Sequence, residues 1–112
     1  MSDQRVSIQD FRKLDLRVAQ VHAVRDHPNA DKLLLLTVDA GDGEKQLVAG
    51  VRGHYEPESL VGRRIIVIHN LEPATIRGET SDGMLLAATN PVTGAIRLLS
   101  VDGDLPVGSR IS

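Results

Sequence analysis

The stretch from Asn70 to Met84, NLEPATIRGETSDGM, gathers polar side chains between two apolar runs. Arg64-Ile65-Ile66-Val67-Ile68-His69 precedes it and Leu85-Leu86-Ala87-Ala88 follows. Within it stand Pro73, one cation at Arg77, Gly78, and a Ser81-Asp82-Gly83 turn in which Gly83 tolerates positive φ. Groups carried on a loop above a rigid sheet are placed to bind. The plain alternative is an ordinary connection between strands. Catalysis has less support. Four histidines (His22, His27, His54, His69) lack the paired spacing of metal ligands, and His27 and His54, beside turn residues, read as surface groups. Ser81 has no histidine near it in sequence, and no phosphate-binding loop or nucleophile elbow is present. The expectation is a protein with no catalytic residues, no metal and no cofactor.

The elements that must position this stretch follow from composition and pattern. At 112 residues the chain reads as one domain, 1–112, able to bury a single core, with 41% hydrophobic and 25% charged residues. No cysteine is present, so disulfides and thiolate metal sites are excluded. The N-terminal residues lack an apolar segment and no run is long enough to span a bilayer, so a cytoplasmic protein is expected. Net charge is −2, so any surface for nucleic acid must be assembled by folding scattered cations onto one face. With only Phe11 and Tyr55 aromatic, a coat that stacks successive bases of a single strand is disfavoured.

Ser7 to Phe11 reads as a capped helical turn, with Asp10 near the positive end of its dipole. Leu14 to Val24 reads as a strand whose apolar phase slips, which predicts a bulge or sharp bend near Ala19-Gln20 and one strand serving two sheets of a small barrel. Asp26 to Lys32 is a loop in which Asp31 and Lys32 equally suit a solvated ion pair. Strands are expected at Leu33–Ala40 and Lys45–Val51, joined by a Gly41-Asp42-Gly43-Glu44 hairpin turn. A helical turn over Glu56–Leu60 comes next, then strands at Arg63–Leu71, Gly83–Thr89 and Ala95–Val101. This order predicts an all-β fold: a small five-stranded Greek-key barrel of OB type. Its additions are a short N-terminal helix, a short helix between strands three and four, and extra C-terminal strands. Barrels of this type bind through the strand 2–3 face and the loops after strands one and four, here Asp26–Lys32 and Glu72–Asp82.

The chain carries, in order, Asp15-Leu16-Arg17-Val18, Ala30-Asp31-Lys32-Leu33, Val38-Asp39-Ala40-Gly41, Tyr55 to Gly62, Asn70-Leu71-Glu72-Pro73, Arg77-Gly78 and Ser81 to Ala88. In that order and spacing, over about Phe11 to Ile111, it resembles the tRNA-binding OB domain found at the C-terminus of bacterial methionyl-tRNA synthetases and in free-standing dimeric tRNA-binding proteins. It implies recognition of folded tRNA by shape, with Lys32, Asn70, Arg77, Ser81 and Met84 facing the RNA. Lys32 and Arg77 suit phosphate, Asn70 and Ser81 suit sugar or base edges, and Met84 offers an apolar surface. The chain departs from the pattern at Ala49, where Ser is common, at Ile76, where Met is common, and at Asp82, where Glu or Gln is usual. The missing hydroxyl at Ala49 is expected to weaken one contact. The resemblance further implies a symmetric homodimer joined through the first helix and the C-terminal strands, and an aminoacyl-tRNA synthetase as a partner. The family also includes an export-associated chaperone that binds unfolded polypeptide as a homodimer, which is the competing expectation.

Overall fold

A computed structural model describes residues 4–112; residues 1–3 of the expected 1–112 domain lie outside the described residues. The first helix, α1 (Ile8–Arg12), begins where the Ser7 hydroxyl accepts the Asp10 N–H at 3.0 Å, as its sequence predicts. β1 (Leu16–Asp26) then organises the barrel. Its first half pairs antiparallel with β4 (Arg64–Ile68), and its second half with β2 (Leu34–Asp39). Gln20 is the hinge between them, facing Arg64 on one side and Asp39 on the other.

The bulge lies between Val21 and Ala23, not near Ala19-Gln20. Pairing with β4 runs unbroken through Gln20, and Val21 still exchanges backbone bonds with Arg63 and Gly62. The strand can bend only after those partners end. The phase slip at Val18-Ala19 has another cause: both are fully buried, but only Ala19 joins the central core cluster, so this part of β1 is covered on both faces.

β2 pairs with β3 (Glu44–Ala49) in the expected hairpin, from Leu34↔Ala49 to Asp39↔Glu44. The short helix α2 (Pro57–Leu60) places a fully buried Leu60 against the core formed by Val21, Leu34, Leu36, Val38, Leu47, Ile65 and Val67. The expected fifth strand is divided. β5 (Ala74–Ile76) and β6 (Glu79–Ser81) form a hairpin where an irregular loop was predicted, and β7 (Met84–Leu85) follows, pairing with β4. β8 (Ala87–Thr89) then leaves the barrel to pair with β9 (Ile96–Leu98), and β10 (Arg110–Ile111) returns to β1.

The sheet order β3-β2-β1-β4-β7 is thus an all-β, nearly closed barrel of OB type. Its seam is bridged from β3 to the β6–β7 link, where the Asp82 N–H donates to the Gln46 carbonyl at 2.8 Å and the Val48 N–H donates to the Ser81 hydroxyl at 3.0 Å. Gly83 makes this closure possible. Its φ is +114°, and a Cβ there would stand 2.7 Å from the Ile68 carbonyl oxygen.

Candidate nucleic-acid interface

The turn joining β5 to β6 consists of Arg77 and Gly78, with φ of 54° and 90°. Two consecutive positive φ values in a two-residue hairpin loop define a type I′ turn, whose twist matches the flanking strands. The Arg77 side chain is exposed at the tip and forms no ion pair among the described residues.

This tip leans on the β1–β2 connection. The His27 ring nitrogen Nε2 lies 2.9 Å from the Ile76 carbonyl oxygen, and the Asn29 amide donates to the Arg77 carbonyl at 3.4 Å. Lys32 sits on the same connection, exposed and without an ion pair among the described residues, so it is not paired with Asp31. Its carbonyl accepts the Arg52 N–H at 3.3 Å, and Arg52 is itself paired with Asp26 at 3.1 Å. Lys32 and Arg77, far apart in sequence, thus lie on the two segments that meet at this junction. Below them Gln46 on β3 donates to Glu79 at 3.2 Å and to the Thr80 carbonyl at 3.0 Å.

The other three predicted residues are placed differently. Ser81 is 2% exposed, and its hydroxyl accepts from Val48 and donates to the Gly83 carbonyl at 2.8 Å. That hydroxyl closes the barrel and does not face a ligand. Asn70 is exposed, but its amide accepts the Asp15 N–H at 2.8 Å and donates to the Lys13 carbonyl at 2.7 Å, fastening the entry to β1. It stands by the first residues of β1, while the Lys32 loop follows the last. Met84 is half-buried on β7, paired with Ile68. Ala49 belongs to the central core at 4% exposure, so the hydroxyl expected there would be enclosed by the core.

His27 is the residue that sequence reasoning misplaced. It is 3% exposed, although it lies between Asp26 and Pro28 in a polar connection that carries no burial signal. The remaining histidines are engaged separately: His22 with Glu44, His69 with Asp42 at 2.9 Å, and His54 with the Ile96 N–H.

A second polar cluster lies at the Asn70 end. Arg17 grips both oxygens of Asp15, at 2.8 to 3.1 Å, and Arg110 adds a contact at 3.1 Å. The hydrogen bond from Arg17 outweighs partial burial and holds the Asp15 carboxyl below the usual carboxylate range, helped by the charges of Arg17 and Arg110. Asp42 is lowered chiefly by its bond to His69.

A nearly closed five-strand barrel with polar, cation-bearing connections over its β2–β3 side is a binding module of the OB class. The chain belongs to the putative tRNA-binding domain family, whose model matches residues 16–110. It is 48% identical over 107 residues to a methionine–tRNA ligase of Thermotoga maritima, covering 96% of this chain but 17% of the ligase. A methionine–tRNA ligase of Methanococcus aeolicus is 47% identical over 95% of this chain, which covers 15% of that protein. Among solved structures, a methionyl-tRNA synthetase-related protein from Pyrococcus horikoshii superposes with a TM-score of 0.89 at 31% identity, covering 97% of this chain and 99% of that one. The chaperone CsaA of Bacillus anthracis gives 0.86 at 32% identity, covering 97% and 100%.

Proposed function

We propose that this chain binds folded tRNA without catalysing a reaction on it, acting in the cytoplasm either free-standing or as the tRNA-binding part of a methionyl-tRNA synthetase assembly. The observation that carries the reading is the junction of the Lys32 connection with the Arg77 hairpin, where two unpaired cations face solvent. Lys32 and Arg77 contact phosphates, Met84 extends the surface beside the barrel seam, and Asn70, at the other end of β1, offers its remaining donor hydrogen. A filter-binding titration with total tRNA across a salt series tests it. Binding with a shallow salt slope is expected, because few phosphates are neutralised. No binding at low salt overturns the reading.

The same chain assembles as a homodimer in this reading. Ile8, Phe11 and Leu14 leave apolar surface exposed beside Ile111, around a groove of about 300 Å³. A second copy covering it doubles the RNA surface on one body. Sedimentation of Phe11→Asp against the wild-type protein tests this; equal mass for both overturns it.

The likeness to a CsaA chaperone favours a second reading, capture of unfolded polypeptide. Competition separates the two: an unfolded client that binds and is not displaced by tRNA supports the chaperone.

A further inference from the structure

We propose that His27 is the positioning residue of the RNA-binding face, fastening the connection that carries Lys32 to the hairpin that carries Arg77; this rests on the tRNA-binding reading. The Asn29 backbone N–H donates to His27 Nδ1 at 2.9 Å, so that nitrogen is an acceptor. The ring proton therefore sits on Nε2, which donates to the Ile76 carbonyl 2.9 Å away, a group that can only accept. Both bonds hold together for one species only, the neutral imidazole protonated at Nε2. One side of the ring closes its own turn; the other reaches a segment 49 positions further along the chain.

The carbonyl it holds belongs to the residue immediately before Arg77, whose own backbone is in the left-handed region. β5 and β6 have three residues each; Gln46 and the Ser81 hydroxyl tie β6 to β3, while β5, with β6 as its strand partner, is held on its other side by the His27 bond. The His27 bond, supported by the longer Asn29 contact at 3.4 Å, fixes the hairpin's angle and thereby the spacing between the Arg77 and Lys32 side chains. His27 touches no RNA; it acts through Arg77.

Two substitutions separate the two halves of the ring's work. In His27→Asn the shorter side chain can still accept from the Asn29 N–H, as in an Asx turn, but cannot reach Ile76. In His27→Gln the longer amide reaches the Ile76 carbonyl. The expected result is that His27→Asn weakens tRNA binding about tenfold, the loss of one buried hydrogen bond, and that His27→Gln restores most of it. In an Arg77→Ala background His27→Asn adds less than about twofold, because the two residues act as one unit. Amide exchange in residues 74–81 rises in His27→Asn. Wild-type affinity in His27→Asn, or a full additive loss in the Arg77→Ala background, overturns the proposal. A wild-type protein that binds no tRNA removes the function reading alone; the fastening is then judged by exchange, and unchanged exchange in His27→Asn overturns it. Should His27→Asn not fold, Asn29→Ala, at an exposed site, replaces it: binding weakened about two- to threefold supports the proposal, and unchanged binding overturns it.

Discussion

Arg77 is the non-glycine residue with positive φ among the described residues, and its 54° falls in the region that strains most side chains. The hairpin turn requires that conformation, yet asparagine would satisfy it better. A charged side chain at that position, against local preference, accords with the binding role proposed for Arg77. Arg77→Asn is therefore expected to leave the urea midpoint unchanged or raise stability by about 0.5 kcal/mol, while tRNA affinity falls severalfold for all tRNAs alike. A variant that loses stability together with affinity would show that the arginine serves the fold. Gly83 answers the opposite demand. With φ of +114° and a Cβ position 2.7 Å from the Ile68 oxygen, Gly83→Ala strains the backbone and collides with a carbonyl that pairing holds in place. Denaturant unfolding should show a loss of roughly 2 kcal/mol or more.

At the scale of elements, the seam between β3 and the β6–β7 link depends on a side chain, because no full ladder forms there. Removing the Ser81 hydroxyl leaves the buried Val48 N–H without its partner. Ser81→Ala should lower stability by about 1–3 kcal/mol and leave the tRNA affinity of the folded protein unchanged. Weakened binding at full stability would return Ser81 to the RNA face. The case also shows what a sequence conveys. Strands two and four were legible as short continuous apolar runs, Leu33 to Leu36 and Ile65 to Ile68, in which Leu34, Leu35 and Leu36, and Ile65, Ile66 and Val67, are all buried. The β5–β6 hairpin was not: Ala74-Thr75-Ile76 and Glu79-Thr80-Ser81 are short, mostly polar, and joined by Arg-Gly, which lacks the usual Asn-Gly or Asp-Gly signal. Lys32 and Arg77 could be singled out by type. That Ser81 would face inward, that Asn70 would hold the chain's entry to β1, and that His27 would be buried depended on contacts between distant segments.

For the whole molecule, one charged cluster joins parts of the chain that the backbone leaves far apart. Asp15 before β1 binds both Arg17 and Arg110 of β10, Arg17 also reaches Asp42 in the β2–β3 turn, and His69 beyond β4 holds Asp42. Gly41 and Gly108 pack so closely beside it that a Cβ on Gly41 would lie 2.9 Å from the Gly108 Cα. The C-terminal segment is thus pinned to the barrel by charge and by close approach together. Both carboxyls are held below their ordinary range, Asp15 first by its hydrogen bond from Arg17 and Asp42 first by that from His69. A carboxyl lowered in the folded state binds its proton less readily than in the unfolded chain, so its stabilising contribution is complete above about pH 4. That contribution drains away as pH falls through the folded value. Urea midpoints should therefore change little on this account between pH 7 and 5 and drop steeply below about pH 4. In Asp15→Asn the midpoint at pH 7 should be lower and the acid drop shallower, since the variant has already lost what acid would remove. An acid drop as steep as in the wild-type protein would mean that other carboxyls carry the effect and that the Asp15–Arg110 contact does not pin the C-terminal segment to the barrel.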